Sequence, residues 1–211
     1  MLASEAQFTV LDFESTGSVE GFANEPWQIG MVFFASGRVV GDCSFSSLLR
    51  VGQRPFNPYA PGRHALVREE LAVAPLLADL WPLLSSWLVG RALVAHHAAT
   101  ERKFVGETFP LHGFGPWVDT LELARIAYPA SPSHRLEDLT ETLGLEPRLR
   151  ERCSGLAPHD ALYDAVACAL LLEHLLGLPQ WQGVSVADLA AARSGWGRGP
   201  RPGADHRLWR A

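Results

Sequence analysis

Asp12 and Glu14 stand two residues apart in an apolar, β-rich run from Phe8 to Glu14 that breaks into Ser15-Thr16-Gly17-Ser18. Residues two apart in a strand project from the same face, so this spacing sets two carboxylates side by side. Carboxylates aimed at a core are costly unless something pairs with them, and a divalent cation is a common partner. D-x-E alone is commonplace, and a charged strand end at the surface explains it as well. A second group follows Leu93-Val94-Ala95: His96, His97 and then Glu101, on a helix that starts near Ala98. Adjacent histidines point apart and no H-x-x-x-H or H-E-x-x-H spacing follows, so they read as structural hydrogen-bonding residues and not as zinc ligands. Glu101 alone reads as an exposed helix charge. The third group is Pro158-His159-Asp160-Ala161-Leu162-Tyr163-Asp164-Ala165. Asp160 has an ordinary role there as a helix cap or dipole partner. Asp164, among apolar residues in the first turns of a helix, has no such role, and His159 lies in the loop just before it.

The elements that must position these groups follow from periodicity and turn signals. Phe8–Glu14, Trp27–Ala35 and Val39–Val51 are β-rich runs, the last two split by Ser36-Gly37, and together they predict a three-stranded meander. After a Pro/Gly-rich loop (Pro55–Gly62), Leu76, Leu77, Leu80, Leu83, Leu84 and Leu88 suit an amphipathic helix bent near Pro82. Arg91–Ala95 predicts a buried strand, Trp117–Asp119 a short extended piece, and Thr120–Tyr128 and Leu136–Leu143 helices, the latter closed by Gly144. A long apolar helix is expected from Asp160 to Leu176, stopped by Gly177 and Pro179. Strands first, then alternating helices and strands, indicate an α/β domain with a mixed sheet. The domain is expected to span 1–180, with 181–211 a Gly/Arg-rich, flexible C-terminal extension.

Composition excludes several classes. The chain has 211 residues, 47% hydrophobic and 19% charged, as in a globular protein. Its most apolar region, Leu71–Ala99, is interrupted by Pro75, Asp79, Pro82, Gly90 and Arg91, short of the roughly 20 apolar residues of a membrane span. No secretory signal is visible at the N-terminus, so a cytoplasmic protein without a membrane partner is expected. Cys43, Cys153 and Cys168 include no C-x-x-C pair, which argues against a disulfide framework and a thiolate zinc site. Lys103 is the sole lysine and lacks the glycines of a phosphate-binding loop, and no G-x-S-x-G elbow occurs. The net charge of −5 is uneven, because five arginines lie from Arg193 onward. The acidic body argues against a broad basic surface for long nucleic acid, yet suits a metal site where cations neutralise clustered carboxylates.

Taken together, the three groups resemble the DnaQ-like DEDDh 3′→5′ exonucleases, the family of the replicative proofreading subunit, ribonuclease T and oligoribonuclease. The resemblance covers Phe8 to Leu176. The first motif, D-x-E-T-T-G, is matched by DFESTG, and the third, H-x-A-x-x-D-A, by His159, Ala161, Asp164 and Ala165. The family's Asp-Thr-Leu is similar to Asp119-Thr120-Leu121, and its Ser-x-x-Leu-x-x-Leu helix to SHRLEDLTETLGL. The second motif, V-A-H-N-A-x-F-D, departs: here it is Val94-Ala95-His96-His97-Ala98-Ala99-Thr100-Glu101, with Glu101 in place of the aspartate.

The resemblance implies a ribonuclease H-like mixed sheet flanked by helices and two divalent cations, Mg²⁺ or Mn²⁺, which all-oxygen sites suit. It implies that Asp12 bridges the ions, Glu14 and Asp164 complete the first site, Glu101 serves the second through water, and His159 removes a proton from the attacking water. Backbone N–H groups of Ser15, Thr16 and Gly17 would grip the terminal nucleotide. The implied substrates are single-stranded DNA or RNA 3′ ends, and the products 5′-mononucleotides. A nuclease-fold interaction module that has lost catalysis with its altered second motif is the alternative. The tail carries no recognisable clamp- or polymerase-binding peptide, so a free-standing enzyme is expected.

Overall fold

The computed structural model describes residues 1–60, 62–64 and 67–193. Strands β1 (Gln7–Ser15), β2 (Pro26–Ala35) and β3 (Arg38–Leu48) form the antiparallel meander that the sequence predicts. Strand β4 (Ala92–Ala95) returns parallel to β1, and β5 (Trp117–Asp119) lies parallel to β4. Among the described residues the sheet has five strands, in the order β3-β2-β1-β4-β5. The helices in chain order are α1 (Arg68–Val73), α2 (Trp81–Leu88), α3 (Ala99–Thr108), α4 (Thr120–Ala127), α5 (Leu136–Thr142), α6 (Glu146–Arg152), α7 (Ala161–Gly177) and α8 (Val186–Ala191). None is long and apolar enough to cross a membrane.

Strand alternation sorts the core into two layers. Phe8 and Val10 of β1, with Val32 and Phe34 of β2, join the buried side chains of α7 on one face. Leu11 and Phe13, with Ile29 and Met31, pack on the other face against Leu84 and Leu88 of α2 and Phe104 of α3. Asp12 and Glu14 continue the Phe8/Val10 face, so the parity that buries β1 also aims both acids at α7. That helix is apolar nearly all round because it is buried against the sheet on one side and against α4 and α5 on the other.

Several expectations need correction. Residues 76–88 do not form one bent helix: Leu77–Leu80 is a single 3₁₀ turn and α2 starts afresh at Trp81. Pro82 lies in the first turn of α2, where its missing N–H costs nothing. The third strand ends at Leu48 instead of Val51, because the Arg50 N–H turns away to Pro75 O. Helix α6 was not expected; Pro147 sits in its first turn and begins the helix instead of breaking it. The domain boundary at residue 180 falls inside the packed unit, since Trp181, Val184, Val186, Leu189 and Ala192 are buried in the α7-side core. The apolar stretch before the Gly/Arg-rich segment therefore belongs to the domain. The flexible tail expected beyond Ser194 lies outside the described residues.

Candidate active site

The acids and His159 meet at the C-terminal ends of the parallel strands β1 and β4, where open α/β sheets commonly bind ligands. Glu14, His159 and Asp164 each bring one ligand atom to within 4.8 Å of the other two. Asp12 is partly buried beside them, and Glu101 is 5% exposed on the first turn of α3. Glu101 is thus not the surface charge that its position alone suggested. Its Oε2 is buried without a hydrogen-bond partner among the described residues. Four carboxylates enclosed together, one with an orphaned oxygen, fit hard divalent cations, whose ligands are oxygens.

Burial, joined by mutual repulsion at Asp12 and Glu14, raises their proton affinities. Burial, then the nearby charges of Glu101, Asp164 and Glu14, holds the Asp12 carboxyl well above its usual range. Burial, then Asp164, Asp160 and Glu101, pushes Glu14 from an ordinary 4.5 up to about 8. Glu101 is pushed up to about 8, mainly by burial. Asp164 rises to about 7 by burial, although the His159 backbone N–H, 3.1 Å from Oδ2, opposes the shift.

Between about pH 4.5 and 8 the folded, metal-free protein therefore holds protons on these acids that the unfolded chain has released. Its stability must fall as pH rises through that window. A divalent cation displaces those protons, so the stabilisation it provides must grow with pH. Partly buried His96 and His174, held below their ordinary range, act in the opposite sense, so the comparison is made with a Glu14→Gln/Glu101→Gln variant. We expect the melting temperature of the metal-free wild type, relative to that variant, to drop by several degrees from pH 5 to pH 8. Roughly 2–4 °C corresponds to each kcal/mol in a chain of this size. A flat or rising difference by scanning calorimetry in EDTA would refute the proton linkage.

The supports of this cluster come from distant parts of the chain. Gly30 faces Asp12 across the β1–β2 ladder, and a Cβ there would lie 2.2 Å from the Ala161 backbone, so only glycine lets the start of α7 approach the sheet beside Asp12. Gln28, opposite Glu14, fastens the same helix end: its Nε2 donates to Asp160 Oδ2 at 3.0 Å and its Oε1 accepts from Ala161 N–H at 3.3 Å. Asp160 caps α7 through the Leu162 N–H, as its position suggested. Asp119 caps α4 and also accepts from His97 N–H and Ala98 N–H at 2.9 and 3.1 Å, which fixes the turn that launches α3 and hence Glu101. Asp119 had entered only as part of an Asp-Thr-Leu pattern, and Gln28 and Gly30 carried no sequence signal of their own.

Both ring nitrogens of His96 lie within hydrogen-bonding distance of protein groups, Thr120 Oγ1 at 3.0 Å and His134 O at 2.9 Å, in keeping with a structural role. His97 lines a cleft of about 300 Å³ together with Glu14, Ser15, Gly17, Tyr59 and Glu101. Thr16 does not join them. Its side chain is buried and its N–H donates to Glu25 O at 2.8 Å, so it holds the turn and offers no donor to a nucleotide. Gly17 adopts φ +70°, and a Cβ there would meet the Asn57 Cβ at 2.7 Å. The Pro/Gly-rich loop that packs on the turn therefore requires glycine here.

Comparison with known proteins agrees with this arrangement. The family model described as Exonuclease matches residues 9–172. The DNA polymerase III subunit epsilon-like protein of Rhodobacter capsulatus is 31% identical over 172 residues, which cover 80% of this chain and 23% of that protein. The chain thus spans about a quarter of that relative's length. The structure of Exonuclease X in complex with 5′ overhanging duplex DNA superposes with a TM-score of 0.64 at 27% identity, covering 87% of this chain and 99% of that one. The nuclease domain of 3′hExo, a DEDDh family member bound to rAMP, shares the fold with a TM-score of 0.64 at 16% identity, over 83% of this chain and 94% of that one. With its ribonuclease H-like sheet and a family match over most of its length, this chain belongs to the exonuclease family, as a DnaQ-like DEDDh 3′–5′ exonuclease domain.

Proposed function

We propose that the chain removes nucleotides one at a time from the 3′ end of single-stranded DNA or RNA and releases 5′-mononucleotides. The observation that carries this reading is the convergence of Glu14, Asp164 and His159 to within 4.8 Å at the strand ends, with Asp12 and Glu101 enclosed beside them. Asp12, Glu14, Glu101 and Asp164 would hold two divalent cations, Mg²⁺ or Mn²⁺. When bound, such ions supply Lewis-acid stabilisation of the charge that develops on the phosphate oxygens. His159 accepts the proton of the attacking water, a contribution typically worth about 10²- to 10⁴-fold. The cleft, at about 300 Å³, lies at the low end of the roughly 300–1,000 Å³ usual for small-ligand pockets. It suits one unpaired nucleotide better than a base pair. Ser15 and Gly17 line it and would meet the terminal nucleotide, with Tyr59 on the opposite loop. Three free cysteines are in keeping with a cytoplasmic enzyme.

The test is incubation with 5′-labelled DNA and RNA single strands in Mn²⁺ or EDTA. A ladder of shortened, still-labelled products is expected in Mn²⁺ only, and a circular single strand should remain intact. Cutting of the circle at a comparable rate would identify an endonuclease instead. No products under any condition, from a protein that binds Mn²⁺ weakly, would favour the non-catalytic module.

A further inference from the structure

His159 has a further carboxylate partner, carried on a different helix from the four acids, although its charge also reaches Asp164 and Glu14. Glu137, in the first turn of α5, places Oε1 3.1 Å from His159 Nε2. Its other oxygen is held by Arg135, with Nε at 3.2 Å and a terminal guanidinium nitrogen at 3.0 Å from Oε2. The pair joins two separately anchored pieces of chain. Leu139 seats α5 in the core, and His159 sits at φ +65° with its N–H on Asp164. A neutral imidazole has one donor and one acceptor nitrogen, and a carboxylate only accepts. A proton on Nε2, the nitrogen that faces Glu137, would leave the lone pair on Nδ1.

We propose that Glu137 is the positioning residue for His159: it fixes the imidazole rotamer and the Nε2–H tautomer, so that Nδ1 is the nitrogen that takes the proton from water. The proposal rests on the reading of His159 as the base. In the step itself, a proton passes from water to Nδ1, the resulting hydroxide forms a bond to phosphorus, and the bond from phosphorus to the 3′-oxygen breaks. The 3′-oxygen then takes a proton from solvent, and the imidazolium returns its own to solvent. While the imidazolium exists, its Nε2–H stays on Glu137 in a charge-assisted hydrogen bond, the same logic by which a third group orients a base–nucleophile pair. Arg135 keeps the carboxylate from turning away.

A plain surface ion pair at this spot would contribute little to anything, and its loss would leave turnover unchanged. The deciding experiment measures kcat and KM on a single-stranded oligonucleotide at saturating Mn²⁺, together with Mn²⁺ affinity and melting temperature. The variants are Glu137→Ala, Glu137→Gln, Glu137→Asp, His159→Ala and the Glu137→Ala/His159→Ala double. For Glu137→Ala we expect kcat to fall about 10- to 100-fold, the range seen when the partner of a functional histidine is removed. KM should stay within twofold, and Mn²⁺ affinity, which feels the Glu137 charge through Asp164 and Glu14, should change far less than kcat. Glu137→Gln, which still accepts the hydrogen bond without the charge, should lie in between, and Glu137→Asp should recover part of the loss. The double variant should be little slower than His159→Ala alone, since the proposed effect of Glu137 on kcat runs through the imidazole. The inference is overturned if Glu137→Ala and Glu137→Gln both turn over at the wild-type rate or faster, or if the two losses multiply in the double variant. A wild-type rate in His159→Ala would overturn the base assignment itself, which separates failure of that reading from failure of this one.

Discussion

Replacing Asp12 by asparagine is expected to slow degradation of a labelled single strand about 10³-fold or more and to make the metal-free protein more stable. Both effects have one cause. Asp12 lies beside Glu14, Glu101 and Asp164; burial already shifts all four acids towards their protonated forms, and repulsion within the cluster adds to the shift of Asp12 and Glu14. Asparagine removes one charge from that cluster while keeping the side-chain shape, so the fold loses a source of strain. In the proposed metal site a cation would also lose one of its carboxylate ligands. The charge stabilisation supplied by a metal site is worth several kcal/mol, and each 1.36 kcal/mol is about tenfold in rate, which sets the size of the expected loss. Calorimetry at pH 8 in EDTA should show a higher melting temperature for Asp12→Asn than for wild type. The same measurement with Mn²⁺ should show the order reversed. A variant that degrades the strand within tenfold of wild type would mean that Asp12 is not a ligand. This opposition between stability and activity is what a site built from mutually repelling acids should produce.

Glu101→Gln should reduce activity about 10- to 100-fold at limiting Mn²⁺ and raise the Mn²⁺ concentration needed for half-maximal rate, on the scale typical of metal-site supports. Glu101 stands where the family's second motif has aspartate, and the structure encloses it in the first turn of α3 with one oxygen unpartnered. Thr100 and Glu101 both line the cleft. Glu101→Asp should retain partial activity, because the shorter acid keeps the charge and can reach an ion through water. Glu107→Gln is the control. It lies later on the same helix, 65% exposed, in a long i,i+4 contact with Lys103 at 3.9 Å, and an exposed pair of this kind carries little energy. Equal, wild-type activity of Glu101→Gln and Glu107→Gln at limiting Mn²⁺ would remove Glu101 from the site.

What the sequence determined by itself was local in origin. The two-residue period of β1 put Asp12 and Glu14 on one face, and the apolar run after Asp160 specified a buried helix with Asp164 near its start. The meander, the short strands β4 and β5 and the helices α4 and α5 followed from the same kind of signal, because strand alternation, helix period and capping are properties of neighbouring residues. Proline was misread at position 82 since its effect depends on whether it falls in the first turn of a helix or within it. The tertiary structure alone decided which residues meet across elements. Gly30 admits the start of α7, Gln28 grips Asp160 from 132 positions away, Asp119 holds the turn before α3, and Glu137 reaches His159 from another helix. It also decided that Glu101 is enclosed and Thr16 is not available to a ligand. These contacts depend on where the crossovers between strands carry each helix, and a side chain's own sequence neighbourhood contains no record of the partner brought to it by the fold.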